Sequence, residues 1–342
     1  MPNLLLDCLP VEIFYEILSY LSGGHILKAF HSLNNHFNNI LIGYDHYILD
    51  LSASDISKKE FDLICSFLRS EQIVGLQFGR NYFDLVNRFI SNFSNRQSLN
   101  RLRSLWIDDT ILIDQLFLTR LVSIIDLNKL VSIRFDRIYL NHFNTSSRYT
   151  FDSLKHLVLC SSRQFRLLSK QIPTHLTFLH IFSDSINVMD QFIRSNMRQL
   201  KSLGIGLHCD SNNIQQFTKA FSNYQWTHLI QFNLRLNVDL DTPFKTMRQI
   251  LSKMYRLRYL TLILRKPLAT NNHLLDGIRW ESFLSTSLLY LKTFNFQFSI
   301  MEKSKGKIRR LLRRFRSKWW LQTKQCVTVP LRSDELRNLV CV

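Results

Sequence analysis

Residues 200–205 are LKSLGI, and the same spacing of three apolar residues returns at residues 229–234 (LIQFNL) and 257–262 (LRYLTL). In each hexapeptide the first, fourth and sixth residues are apolar. Because alternate side chains of a strand point to opposite faces, the fourth and sixth residues share one face, and the residues beside them share the other. The pattern therefore predicts a short strand with one buried face at each copy.

Copies of this pattern occur along most of the chain, beginning at residues 73, 102, 130, 154, 176, 200, 229, 257 and 291. One strand cannot bury its apolar face alone, so successive copies are expected to stack as parallel strands joined by crossover connections. The copies lie 22 to 34 residues apart, and this resembles the irregular, intracellular type of leucine-rich repeat, whose period is roughly 20–29 residues. The resemblance implies an α/β fold in which residues 46–300 form a leucine-rich-repeat solenoid, or horseshoe, that binds a substrate.

The N-terminal segment has a different pattern. Residues 4–41 are LLLDCLPVEIFYEILSYLSGGHILKAFHSLNNHFNNIL. Pro10 suits the first position of a helix, and Ser22-Gly23-Gly24 is expected to end that helix. Two shorter helices are predicted after it, so residues 1–45 are expected to form a three-helix domain.

This segment resembles the F-box, the adaptor-binding module of Skp–cullin–F-box ubiquitin ligases. The resemblance depends on residues whose order and spacing match the family along the whole module: Leu9-Pro10, Glu12-Ile13, Ile17-Leu18, Tyr20-Leu21, Leu27, Phe30, Leu33-Asn34 and Phe37. The departures are His25, where an acidic residue is common, and Asn34, where Cys or Ser is common. The resemblance implies that the adaptor is bound by Leu9, Pro10, Ile13, Ile17, Leu18, Leu21, Leu27 and Phe30.

An alternative is that these helices only cover the end of the repeat array, as terminal repeats require. The apolar face of the first helix exceeds what a small three-helix unit can bury, which favours an external partner.

The family binds its substrates largely through the strand positions that point away from the core. Exposed aromatic and arginine side chains dominate binding energy at protein interfaces. The substrate-binding residues expected on this basis are Trp106, Arg134, Phe178, His180, Phe182, Arg235 and Tyr259. The alternative for each aromatic residue is that it packs against side chains of adjacent strands.

The C-terminal segment is strongly basic, with nine Lys or Arg residues and no acidic residue between positions 303 and 318. Ile308, Leu311, Leu312, Phe315 and Trp319 recur at helical spacing within it, so an amphipathic helix with a cationic face is predicted. Three roles remain open: a cap on the last repeat over residues 301–342, a nuclear-import or nucleic-acid patch, and attachment to an anionic membrane surface.

Composition restricts the function classes further. No apolar run is long enough to span a membrane, and the N-terminus has no basic region of the kind that begins a signal peptide. The six cysteines are scattered without a Cys-x-x-Cys pair, which is typical of a reducing compartment, so a cytoplasmic or nuclear location is expected. No phosphate-binding loop, zinc-ligand set or nucleophile elbow is present.

The sequence therefore predicts a non-catalytic subunit without cofactor or metal. We expect it to join a protein substrate to a Skp-type adaptor and, through the adaptor, to a cullin–RING ligase. Nucleic acid is not an expected partner. The alternative is an interaction scaffold or nucleic-acid-binding protein with no link to ubiquitination, which the net charge of +18 keeps open.

Overall fold

The computed structural model describes residues 6–52, 56–79, 83–94, 98–108, 115–136, 150–160, 173, 175–183, 199–207, 211–237, 244–268, 272–300, 305–322 and 326–328. The chain divides into two compact units, Met1–Pro173 and Thr174–Val342. No helix among the described residues is long and apolar enough to cross a lipid bilayer.

In the first unit a 3-10 helix at Leu6–Cys8 is followed by three short helices, α1 (Val11–Ser19), α2 (Gly23–Phe30) and α3 (Asn35–Gly43). Pro10 precedes α1, as the sequence predicts, and α1 ends at Ser19. The side chain of Ser22 caps the start of α2 by accepting a hydrogen bond from the backbone N–H of His25. The glycines after Ser22 therefore belong to the first turn of α2, and the prediction that they end α1 is wrong.

Helix α2 packs closely against strand β1 (Tyr47–Leu51) and helix α4 (Lys58–Phe67). A Cβ atom on Gly23 would lie 2.5 Å from Leu49 Cδ2, so a larger residue there would require the Leu49 side chain to move. Lys28 Nζ lies 3.0 Å from Glu60 Oε1, joining α2 to α4 across the surface. Helix α2 thus packs against the sheet that follows it.

A buried glutamine fixes the end of α3 as well. Gln72 is 2% exposed, and its Nε2 donates hydrogen bonds to the backbone carbonyls of Ile42 (3.0 Å) and Tyr44 (2.8 Å). These carbonyls lie in or directly after the last turn of α3, where helix carbonyls have no partner within the helix. The side chain of Gln72 therefore takes the place of the missing helix donors.

In the first unit each strand pairs in parallel with the next one along the chain. The remaining strands of this unit are β2 (Ile73–Phe78), β3 (Ser104–Ile107), β4 (Ser132–Phe135) and β5 (His156–Leu159). Besides α4, the described part of this unit has crossover helices α5 (Phe83–Ser94) and α6 (Gln115–Ile124) and 3-10 helices at Ser70–Gln72 and Leu127–Lys129.

The second unit has the same build, with each strand again parallel to its neighbour in sequence. Its strands are β6 (Phe178–Ser183), β7 (Ser202–Leu207), β8 (Gln231–Leu236), β9 (Tyr259–Leu268), β10 (Thr293–Ile300) and β11 (Cys326–Thr328). Its helices are α7 (Ser211–Ser222), α8 (Phe244–Leu251), α9 (Gly277–Ser287), α10 (Lys305–Leu312) and α11 (Lys318–Gln322). The described residues of this unit also form 3-10 helices at His273–Leu275 and Arg313–Phe315.

The core of each unit is built from the apolar motif positions. Leu203 and Ile205 of β7, for example, are fully buried, and the crossover helix α8 adds buried Met247 and Ile250. Parallel pairing brings equivalent motif positions into register, so Leu203 lies beside Phe232 of β8. Burial of these apolar side chains is the main stabilising term of the fold.

The basic C-terminal segment packs its apolar side against α9 and β10. Phe315 and Trp320 are fully buried, and Trp320 Nε1 donates a hydrogen bond to the carbonyl of Gly277, 3.3 Å away. A Cβ atom on Gly277 would lie 2.3 Å from the carbonyl oxygen of Arg314. Trp320, rather than the predicted Trp319, therefore fills the interior, while the cationic side chains remain exposed: Arg309, Arg310, Arg313, Arg314, Arg316 and Lys318.

This architecture corrects the fold predicted from the sequence. The prediction of a three-helix F-box followed by a leucine-rich-repeat solenoid with a C-terminal cap is wrong, because the described residues form an α/β fold with all-parallel strands and mixed connections. Strand length ranges from three residues in β11 to ten in β9, and the longer helices between strands have eight to twelve residues.

The apolar spacing led to this error because it records only which face of a strand is buried. Parallel sheets covered by helices share that property whatever their family. The domain limits predicted at residues 45 and 300 stay predictions.

Candidate functional site

Helix α1 carries a row of exposed apolar side chains. Ile13 is 48% exposed, Ile17 37% and Tyr20 79%, and Pro10 is also exposed. Residues 10, 13, 17 and 20 are three or four positions apart, so they lie on one side of the helix. We call Pro10, Ile13, Ile17 and Tyr20 the α1 stripe. A contiguous apolar surface of this kind on a small helical module is typical of an interaction site.

The opposite side of α1 forms the interior of the helical module. Phe14 is 1% exposed, and its ring lies 5.6 Å from that of Phe30 and 5.1 Å from that of Phe37, measured between centroids. Leu18 is fully buried on the same side, and Leu27 of α2 is 2% exposed. Leu18 and Leu27, both predicted to bind the adaptor, therefore hold the module together and do not reach its surface.

The remaining residues of the predicted adaptor site lie between these extremes. Leu9, Leu21 and Phe30 are half-buried, so part of each side chain is exposed, and the ring of Phe30 packs against Phe14 on the inner side of α1. The structure thus brings Leu9, Pro10, Ile13 and Ile17 together at the surface near α1.

Tyr20 belongs to the α1 stripe, although the predicted site omitted it. Its hydroxyl donates a hydrogen bond to Glu16 Oε1 over 3.0 Å, and this bond to the carboxylate raises the pKa of Tyr20. The bond holds the ring on the outer side of α1. The three-residue step from Ile17 to Tyr20 continues the helical spacing and is the signal that could have identified it.

Trp106 and Arg134 form a compact polar cluster with Asp136 on the exposed face of the first unit's sheet. The Arg134 guanidinium carbon lies 4.1 Å from the centre of the Trp106 ring, a cation–π distance. Asp136 accepts hydrogen bonds from Trp106 Nε1 (3.2 Å), Arg134 Nε (3.0 Å) and the Cys160 thiol (3.0 Å).

Burial alone would raise the pKa of Asp136, but the bonds and charge of Arg134, with the bonds from Cys160 and Trp106, hold it below its ordinary value. Arg134 is therefore already neutralised by a carboxylate. The cluster offers a ring and the edge of a guanidinium to a partner rather than an unpaired charge.

Phe178, His180, Phe182 and Arg235 come together in the second unit. The His180 and Phe182 rings, 4.6 Å apart, lie over the glycines of the neighbouring strand. A Cβ atom would lie 2.4 Å from the His180 ring at Gly204 and 2.2 Å from the Phe182 ring at Gly206.

The guanidinium carbon of Arg235 lies 5.5 Å from the centre of the Phe182 ring. These side chains therefore pack across adjacent strands, which is the arrangement that the sequence left open as an alternative to substrate binding. Each of these side chains stays half-buried, so part of its surface remains open to a partner.

Tyr259 stands apart from both clusters, on β9, and is 43% exposed. The predicted substrate residues therefore form two clusters and a single tyrosine rather than one site. Among the described residues, no group of three or more His, Cys, Asp or Glu side chains could hold a metal ion.

No protein-family model matches the chain, and neither does any curated protein sequence. Its function must therefore be argued from its own residues.

Proposed function

We propose that this chain is the substrate-recognition subunit of a Skp–cullin–F-box ubiquitin ligase. Helices α1–α3 bind a Skp-type adaptor, and the sheets that follow bind a protein substrate. The observation that supports this most is the α1 stripe, which leaves apolar side chains exposed on the helix that contains Glu12-Ile13 and directly follows Leu9-Pro10 of the F-box sequence pattern.

The placement of the helices suits such a tether. Helix α2 packs against β1 and α4, and buried Gln72 bonds to the end of α3, so an adaptor bound at α1 would be joined to that unit's sheet through packed helices. In this role the chain needs no reactive group, because it raises the effective concentration of a substrate lysine near a ubiquitin thioester carried by another protein. The scattered cysteines favour the cytoplasm or nucleus as the place of action.

The exposed cations between Arg309 and Lys318 favour a second candidate function. A chain with this charge can act as a nucleic-acid-binding protein or scaffold without a ligase. The two functions differ in what the α1 stripe binds, and in whether binding falls steeply as salt concentration rises.

Co-expression with a Skp-type adaptor tests the proposal. We expect a stable complex of the two proteins on gel filtration that also captures a cullin–RING module added afterwards. Replacing Ile17 by Asp should abolish the complex, whereas Ile278→Asp should leave it intact. Ile278 is a matched control because it is 64% exposed on α9 of the second unit. If the adaptor does not bind the wild-type chain, or binds the Ile17 variant equally well, the proposal is wrong.

A further inference from the structure

Two turns of the same build lie side by side in the second unit, directly before β9 and β10. In the first turn the N–H of Leu257 bonds to the carbonyl of Met254 (3.0 Å), and in the second the N–H of Leu291 bonds to the carbonyl of Leu288 (2.9 Å). The residues that follow are hydrogen-bonded neighbours, because the N–H of Lys292 donates to the carbonyl of Arg258 over 2.8 Å. Equivalent positions of the two turns therefore lie next to each other at the edge where the strands begin.

Both turns expose large side chains. Tyr255 is 47% exposed in the first turn, and Leu289 and Tyr290 are 75% and 63% exposed in the second. Tyr259 follows at the start of β9, 43% exposed. Exposed aromatic and aliphatic side chains of this size, grouped on two adjacent turns, are typical of an interaction site.

Basic side chains alternate with these apolar ones. Arg256 lies beside Tyr255, Arg258 precedes Tyr259, and Lys292 follows Tyr290 by two residues. The side chains of Arg256 and Arg258 are exposed, and Lys292 lies at the exposed start of β10. We call Tyr255, Arg256, Arg258, Tyr259, Tyr290 and Lys292 the basic–aromatic edge. Two strands from β9, Lys201 occupies the position equivalent to Arg258 and extends the positive charge by about 10 Å.

Within the described part of the second unit this charge has no local counterpart. The acidic side chains there are Asp276 and Glu281 on or next to α9, and both are engaged elsewhere. Asp276 lies 3.4 Å from Arg279, and Glu281 accepts a hydrogen bond from Ser317 over 2.6 Å. Exposed like charges without carboxylates attract an anionic partner and repel cationic ones.

We infer that the basic–aromatic edge binds an acidic, extended polypeptide segment that also carries apolar side chains. A few cations spread over about 15 Å suit a short segment with several carboxylates. Exposed tyrosines can contact apolar side chains or stacked bases, but Leu289, which is 75% exposed, needs an aliphatic side chain opposite it, which a polypeptide has and a nucleic acid lacks. Arginine and tyrosine are also the residue types that contribute most binding energy at protein interfaces.

This inference rests on the proposed function only in calling the bound segment part of a substrate. Binding of an acidic peptide is measured on the purified chain without adaptor or cullin, and adaptor binding is measured at α1. The failure of one is therefore distinguishable from the failure of the other.

The test uses a fluorescein-labelled peptide of alternating glutamate and leucine, about ten residues long, which spans roughly 33 Å when extended. Its binding to the full chain is followed by fluorescence anisotropy at several salt concentrations. We expect saturable binding that weakens as salt is added, and no binding of a peptide in which lysine replaces every glutamate. Arg258→Glu combined with Lys292→Glu should weaken binding by at least roughly tenfold.

The control has the same charge change elsewhere, Lys219→Glu with Lys245→Glu on the exposed surfaces of α7 and α8, and should bind the peptide like the wild-type chain. Tyr255→Ser with Tyr290→Ser keeps the charge and should weaken binding several-fold. Three results overturn the inference: no binding of the acidic peptide, equal losses in the edge and control variants, or binding of an oligothymidine in place of the peptide at the same residues.

Discussion

Replacing Ile13 by Glu and Ile17 by Lys tests whether the α1 stripe is a binding surface or a set of exposed apolar side chains that bind no partner. Fully burying an isoleucine side chain contributes roughly 1.5–3 kcal/mol. Ile13 retains 48% and Ile17 37% of its surface, so an adaptor that covers both gains about 1.3–2.5 kcal/mol from what is still exposed. Losing that contribution raises the dissociation constant about 10- to 60-fold, and the desolvation of two new charges at the interface adds to it.

The substitutions are chosen so that the helix itself is not weakened. A glutamate near the start of α1 and a lysine near its end both suit the helix dipole, and the pair is spaced for a favourable side-chain contact four residues apart. The dissociation constant is measured by isothermal titration of the adaptor, and the free energy of unfolding by urea denaturation. Leu18→Ala is the comparison on the inner side of the helix, where the side chain is fully buried and truncation should cost about 2–5 kcal/mol of stability.

Two outcomes would refute this reasoning. One is a dissociation constant for the double variant (Ile13→Glu with Ile17→Lys) within about twofold of the wild-type value, since about 1.4 kcal/mol corresponds to tenfold. The other is a stability loss as large as that of Leu18→Ala, which would mean that the α1 stripe packs against the chain itself.

Three further predictions concern how the helices and sheets are joined. Gly277→Ala should destabilise the protein by about 1–3 kcal/mol in urea denaturation, because its new Cβ atom would meet a backbone carbonyl at 2.3 Å. Gly24→Ala is the control and should be neutral or stabilising, because its Cβ atom would lie 3.7 Å from its nearest neighbour. Equal effects of the two substitutions on stability would contradict the close packing at Gly277. Glu60 has its pKa lowered to about 2 by its bonds to Ser57 and Lys28, so the stability it contributes is present above pH 4.5 and is lost as the pH falls toward 2. The Glu60→Gln variant should therefore lose less stability than the wild type over that pH range in thermal unfolding scans. If the stability of both proteins depends on pH in the same way, the ionised Glu60 carboxylate does not stabilise the fold. Gln72→Ala removes the amide donor to the carbonyls of Ile42 and Tyr44, of which Ile42 keeps a bond from Arg69, and should cost about 1–3 kcal/mol in urea denaturation at any pH; a stability equal to that of the wild type would show that the amide does not hold the end of α3.

The sequence predicts the strands well because the strand pattern is local. Every copy of the apolar motif from residue 73 to residue 291 has its last two apolar positions on a strand. Strand β1 was missed because tyrosines replace the aliphatic residues: Tyr44, Tyr47 and Leu49 occupy the three motif positions and are buried. The family-level architecture could not be obtained in this way, since strand alternation carries no information on the length or type of the connections.

The candidate site was predicted less completely than the strands. The F-box resemblance located α1 but did not separate its two sides, so buried Leu18 was grouped with exposed Ile17. Helical spacing counted from buried Phe14 would have separated them and added Tyr20. The pairing of Arg134 with Asp136 depends on side-chain geometry at the end of a strand, which residue spacing does not reveal.

The order of the strands has a consequence for how the protein is made. Among the strands that the structure describes, each one pairs within its unit with the strand before it and the strand after it along the chain. When a new strand of a unit leaves the ribosome, the preceding strand with which it pairs has therefore already been synthesised. The protein can be completed one layer at a time during translation, at the pace of synthesis.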